Sequence, residues 1–130
     1  MNCTAIYKEY KKQLLNFVDE LIEQFPEEGD LVVMRVYIAN QMEIIPFVND
    51  TIYMLSKDEG KVRKMVKNRN ENFFLNHNLM ESLNQKNHLR KIWKSGILDS
   101  EDKEILWKWF DSFVYLSDQV IKTRKSIKKV

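Results

Sequence analysis

The sequence predicts an all-α fold, a compact single-domain bundle of about five or six helices. Three observations carry that expectation. Only three glycines and two prolines interrupt 130 residues, whereas sheets joined by tight turns need more of both. Apolar residues recur at steps of three and four, the spacing of a helix face. Hydrophobic residues make up 44% of the chain against 31% charged, enough for one modest core. A complete doubly wound nucleotide domain or a TIM barrel does not fit this length.

The first helix is expected from Ile6 to Phe25. Its apolar residues Ile6, Tyr7, Tyr10, Leu14, Phe17, Val18, Leu21, Ile22 and Phe25 share one face, while Lys11, Lys12, Asp19 and Glu23 lie off it. Pro26 ends it, because the residue before a proline is pushed out of the helical region. Glu27, Glu28 and Gly29 read as a surface connection, and Asp30 as the cap of the second helix. The run from Leu31 to Ile38 is rich in β-branched residues, which also favour strands. Helix is expected because Leu31, Met34, Ile38, Met42 and Ile45 continue at helical spacing beyond the length of a normal strand. Pro46 fits the first turn of a third helix, whose inner face is Val48, Ile52 and Leu55.

Residues 57–72 form a polar region with one short helix on Val62, Met65 and Val66, ended by Asn68, Asn70 and Asn72. Phe73 and Phe74 then anchor the returning chain in the core. Leu79 to Trp93 reads as one interrupted helix or two short ones, closed by Gly96. Ser100 is the expected cap of the last helix, with Ile105, Leu106, Trp109, Phe110, Phe113, Val114, Val120 and Ile121 on its apolar face. Trp109 and Phe113 are expected at the centre of the core, and Trp107 on the partly exposed flank. No period of repeat-protein length recurs. The expected organisation is a helical domain over 1–121 followed by 122–130 as a basic helix extension or flexible tail.

Site chemistry is sparse. The single cysteine, Cys3, cannot form an internal disulfide, which fits a reducing compartment. His77 and His88 would stand about 16 Å apart along a continuous helix, too far to share an ion. Glu101, Asp102 and Glu104 fit the positive end of the last helix, and Asp111 and Asp118 its solvated face. There is no glycine-rich phosphate loop, zinc-helix signature or serine elbow. A non-enzymatic protein without cofactor or metal is therefore expected. Apolar runs never reach the length of a membrane span, so no transmembrane segment is expected.

Charge is divided unevenly. Residues 1–60 hold five Lys/Arg against eleven Asp/Glu, and residues 61–130 hold sixteen against eight. Such asymmetry favours head-to-tail association of copies, contact with a polyanion, or cancellation within one monomer. Two basic clusters stand out as candidate protein or nucleic-acid contacts: Lys61, Arg63, Lys64, Lys67 and Arg69, and then Lys122, Arg124, Lys125, Lys128 and Lys129. Lysine outnumbers arginine, which suits phosphate contact rather than base reading.

The stretch from Leu14 to Pro26, the Glu71-Asn72-Phe73-Phe74-Leu75 segment, Ile92-Trp93-Lys94 and the run from Lys103 to Phe110 together resemble the layout of small all-helical proteins of nucleocytoplasmic large DNA viruses. The resemblance covers residues 10–118, and the basic region between 57 and 70 is longer here than in that layout. It implies the host cytoplasm or the virion and transfers no catalytic site. A small helical interaction or structural protein that self-associates is the expected function. The alternative is a non-specific nucleic-acid-binding accessory protein using clusters 61–69 and 122–129.

Overall fold

The computed structural model describes residues 2–75 and 88–128. Among them are six helices and no strand: α1 (Cys3–Gln24), α2 (Gly29–Asn40), α3 (Ile44–Lys67), α4 (Asn72–Leu75), α5 (His88–Lys94) and α6 (Ser100–Lys128). The expected all-α class is what the chain adopts. Most of the expected stretch from Leu79 to Trp93, with His77, lies outside the described residues. The chain gathers into two compact units. Unit 1 comprises residues 1–49 with 116–130, and unit 2 comprises 50–115.

In unit 1, the Asn2 side chain caps α1 by accepting from the Ala5 amide at 2.9 Å. Ile6, Tyr10, Leu14, Phe17, Val18 and Leu21 are buried along one face of α1, and α1 packs against α2. Two polar ties accompany that packing, and a third joins α1 to α6. Lys11 Nζ donates to the Ala39 carbonyl at 3.2 Å, placing a cation at the negative end of α2. Arg35 pairs with Asp19, a contact that raises the pKa of the Arg35 guanidinium chiefly through its hydrogen bond. Tyr10 and Ser117, both fully buried, hydrogen-bond through their hydroxyls at 3.1 Å. The Tyr10 ring meets Phe47 edge-on, with centroids 6.2 Å apart.

Two sequence expectations for this unit are corrected. Asp30 is not the cap of α2: Glu28 holds that position without a side-chain cap bond, and Asp30 lies in the first turn, where its charge still suits the helix dipole. The second helix also stops at Asn40, before Met42 and Ile45. The amides of Gln41 and Met42 both bond to the Tyr37 carbonyl, and this tightened turn lets α3 start at Ile44 with Pro46 in its first turn.

α3 is two helical halves separated by a kink. Lys57 is extended (ψ 147°), and Asp58, Glu59 and Gly60 are left-handed at φ 53°, 58° and 78°. Glycine takes that conformation freely, whereas the two acidic residues pay for it in steric strain. In unit 2 the second half buries Val62, Met65 and Val66 and ends in a Schellman turn. Arg69 N–H bonds to Val66 O at 3.1 Å and Asn70 N–H to Met65 O at 2.9 Å.

An aromatic cluster forms the core of unit 2. Phe73 and Phe74 are buried as expected. Phe74 stacks on Trp93 with centroids 4.1 Å apart, and Phe73 meets Phe110 edge-on at 5.0 Å. Trp107 lies against both phenylalanines, at 5.7 and 4.8 Å. The two tryptophan roles are therefore exchanged relative to the expectation. Trp107 is only 4% exposed, while Trp109 is half-buried and rests on Phe113 with centroids 6.3 Å apart. The buried residues Leu106, Trp107, Phe110 and Phe113 define the inward face of this part of α6, and Ile105, expected inside, is exposed.

The cap of α6 is Asp99, not Ser100. Asp99 Oδ1 accepts from the Asp102 amide at 2.8 Å, and the Asp102 carboxylate accepts from the Asp99 amide at 3.3 Å. This reciprocal capping box leaves Ser100 as the first helical residue.

Candidate functional site

The cluster from Lys61 to Arg69 sits on the second half of α3 and the turn that follows it. Lys61, Lys64 and Lys67 are exposed, whereas Arg63 and Arg69 are half-buried. Arg69 has a positive φ of 52° at the turn position where glycine is usual. Its side chain converges on several partners at once. Nη1 donates to Asp111 Oδ1 at 2.8 Å and to the Val66 carbonyl at 3.1 Å. Nη2 donates to Asp111 Oδ2 at 2.8 Å and to Glu104 Oε1 at 3.0 Å, and the guanidinium lies 5.7 Å from the centre of the Trp107 ring. Hydrogen bonding to Asp111, reinforced by Glu104 and opposed by partial burial, pushes the Arg69 pKa further above its ordinary value. The group stays charged at every accessible pH. Asp111, exposed as the sequence suggests, and Glu104, also exposed, are in addition the pairing partners of Arg69.

Arg63, Lys67 and Arg69, with Val66, Asp111 and Val114, line an open cavity of about 460 Å³. All six belong to unit 2. The spacing of Arg63 and Lys67, four residues apart on one helix, puts them on the same side. Beside this region, Lys103 Nζ lies 5.0 Å from the centre of the Trp93 ring and 3.5 Å from Glu71 Oε1.

The second cluster belongs to unit 1. α6 runs without a break past residue 121 to Lys128, so Lys122, Arg124 and Lys125 are helical and only Lys129 lies outside the described residues. Lys122 and Lys125 are exposed. Arg124 is a clasp: Nη2 donates to the Tyr7 hydroxyl at 2.7 Å and to Asn49 Oδ1 at 2.6 Å. Arg124 follows the buried Val120 by one helical turn, so its side chain closes the end of the apolar stripe. Among the described side chains the candidate cations therefore differ in kind: Arg69 and Arg124 are held by intramolecular partners, and Lys61, Lys64, Lys67, Lys122 and Lys125 are exposed.

One surface went unrecognised in the sequence. α2 buries only Leu31 and Ile38 and leaves Val32, Val33, Val36 and Tyr37 exposed at 47%, 67%, 50% and 37%. Val32 and Val36, Val33 and Val36, and Val33 and Tyr37 stand three or four positions apart, so the four side chains form one continuous apolar strip. The signal that could have found it is that the apolar residues of this helix spread beyond one face, which a core-facing stripe does not require. Among the described residues no group of three or more His, Cys, Asp or Glu side chains could hold a metal ion, and no single helix is long and apolar enough to cross a membrane. No family model, no curated protein and no solved structure matches the chain.

Proposed function

We propose that this chain is a non-enzymatic helical interaction protein that self-associates through the outer face of α2. The observation that carries the reading is the strip Val32, Val33, Val36 and Tyr37, left in water on a helix that is otherwise well anchored. Water-exposed apolar strips of this kind mark contact surfaces. A second copy is the occupant that fits best. The strip carries no charge, so two copies of it meet without like-charge repulsion in an isologous pair. In an antiparallel α2–α2 contact, Asp30 at one end faces the opposite end of the other helix, where Lys11 is bonded to the Ala39 carbonyl. The two ends are thus complementary in charge. One twelve-residue helix covers less than the ~800 Å² per partner of a standard interface, so the association is weak, in the range of about 10–100 μM. Sedimentation over a concentration series at physiological salt tests it. The unmodified chain is expected to show a monomer–dimer equilibrium that Val33→Lys abolishes while leaving thermal stability intact. A chain that stays monomeric above about 500 μM overturns the reading.

A second reading, non-specific nucleic-acid binding, is favoured by exposed Lys61, Lys64 and Lys67 in a segment with no carboxylate between 61 and 70. It expects that neutralising Lys61, Arg63, Lys64 and Lys67 weakens binding to unrelated oligonucleotides alike and flattens its salt dependence. Equal binding before and after removes it. The resemblance to small helical proteins of large DNA viruses supports placing either role in a cytoplasmic viral life cycle.

A further inference from the structure

We propose that the chain binds a second copy of itself by exchange across the break in α3. The helix straightens, and the part of each copy that follows the break closes on the part of the other copy that precedes it. The break is strained: after an extended Lys57 come three left-handed residues, and two of them, Asp58 and Glu59, are not glycine, so their Cβ atoms crowd the following carbonyl oxygens. Short hinges under strain favour exchange, because opening the hinge releases the strain while the native contacts are remade between copies. The sequence also suits a straight helix. Lys57, Asp58 and Glu59 are tolerated in helices, and only Gly60 is a poor helix former. Val48, Leu55 and Val62, all buried, recur at every seventh position across the break, about two turns apart in a helix, so straightening leaves them on one stripe.

Unit 1 supplies the contacts to be exchanged. Tyr10 bonds to Ser117, and Arg124 to Tyr7 and Asn49. In each case one partner precedes the break and the other follows it, so the same hydrogen bonds form when the partners come from different copies. At low concentration the closed monomer prevails, because a tethered partner has an effective concentration of about a millimolar. Strain at Asp58 and Glu59 lowers the concentration at which exchange sets in. These contacts must open first, so the exchanged dimer forms and separates on the timescale of unfolding. The rapid equilibrium over the α2 strip is separate from it, and neither proposal depends on the other.

Full-length chains carrying Val33→Lys, which removes the α2 contact, are unfolded in urea, refolded over a concentration series and sized by gel filtration. Failure here is thereby distinguishable from failure of the α2 reading. Gly60→Ala puts a third non-glycine residue into the left-handed run and a good helix former into the straight helix. A Cβ at that position meets only the Leu55 carbonyl, at 3.8 Å, so its effect is one of backbone conformation. It is expected to lower the midpoint concentration of dimer at least about tenfold. Asp58→Gly with Glu59→Gly acts in the opposite sense on both counts and is expected to raise the midpoint at least about tenfold. That pair relieves strain in the closed monomer, so it keeps the test decisive if Gly60→Ala does not fold. Copies bearing Asn49→Cys and copies bearing Arg124→Cys, both with Cys3→Ser, are then refolded together. A short bifunctional maleimide is expected to link unlike copies in the refolded dimer. The proposal is overturned by the absence of dimer in the parent up to about 1 mM, by equal midpoints among the folded variants, or by linking no greater than in a mixture never unfolded.

Discussion

Arg69 and Asp111 meet through two parallel hydrogen bonds, Nη1 to Oδ1 and Nη2 to Oδ2, each 2.8 Å long. The pair joins the turn after α3 to the outer side of α6 within unit 2. Because the side chains stay 31% and 45% exposed, the ion pair itself contributes little, about 1 kcal/mol at most. What distinguishes the site is that the pairing residue also sits in a conformation that glycine would adopt freely.

Two replacements of Arg69 separate pairing from backbone strain. Arg69→Ala loses the pairing and keeps the left-handed penalty, whereas Arg69→Gly loses the pairing and removes the penalty. The glycine variant is expected to be about 1 kcal/mol more stable than the alanine variant in urea denaturation. Equal midpoints for the two would show that the turn relaxes away from a positive φ.

Trp107→Ala is expected to cost about 3–5 kcal/mol, since it empties a site enclosed by Phe73, Phe74 and Trp93. Half-buried Trp109→Ala is expected to cost about 1–2 kcal/mol, because water can fill much of the vacated volume. Guanidinium denaturation of both variants checks the order, and a reversal would mean that the α6 register differs in solution.

At the start of α6, Asp99→Ala removes a side-chain acceptor from a first-turn amide and should cost about 1 kcal/mol. Ser100→Ala, one residue on, should stay within about 0.5 kcal/mol of the parent. Thermal melts of the two variants, read at matched pH, suffice; a larger loss at Ser100 contradicts the capping box.

Tyr10→Phe leaves the buried Ser117 hydroxyl without its partner and is expected to cost about 1–2 kcal/mol. Adding Ser117→Ala removes the stranded group and should return most of that loss. A double variant no more stable than the single one would show that Ser117 finds another acceptor.

How much of this was legible varies with the range of the interaction. α1 was readable to within three residues at either end, because Pro26 and an unbroken i, i+3, i+4 face are local signals. α6 offered more apolar residues than its inward face can hold: Ile105, Leu106, Trp107, Trp109, Phe110, Phe113, Val114, Tyr115 and Leu116. Periodicity then permits two neighbouring registers, and a buried serine at 117 disguised the true one. The caps went astray because Asp99 and Ser100 are both good capping residues standing side by side. For the charged clusters, composition located the cations but not their partners. Arg69 is held by Glu104 and Asp111, and Arg124 by Tyr7 and Asn49, all far away along the chain. The α2 strip was missed because its valines were weighed as evidence between helix and strand, and not as side chains needing cover.

Unit 1 is assembled from two stretches of chain, residues 1–49 and 116–130, with the whole of unit 2 between them. That arrangement imposes an order on synthesis. As the chain leaves the ribosome, the first stretch emerges early with its apolar α1 face, and it must wait for unit 2 to be translated before the last turns of α6 arrive. During that interval Tyr10 has no Ser117, and Tyr7 and Asn49 have no Arg124. The stretch 1–49 is therefore the part of the nascent chain most open to a chaperone, or to the same stretch of a neighbouring copy on the same message.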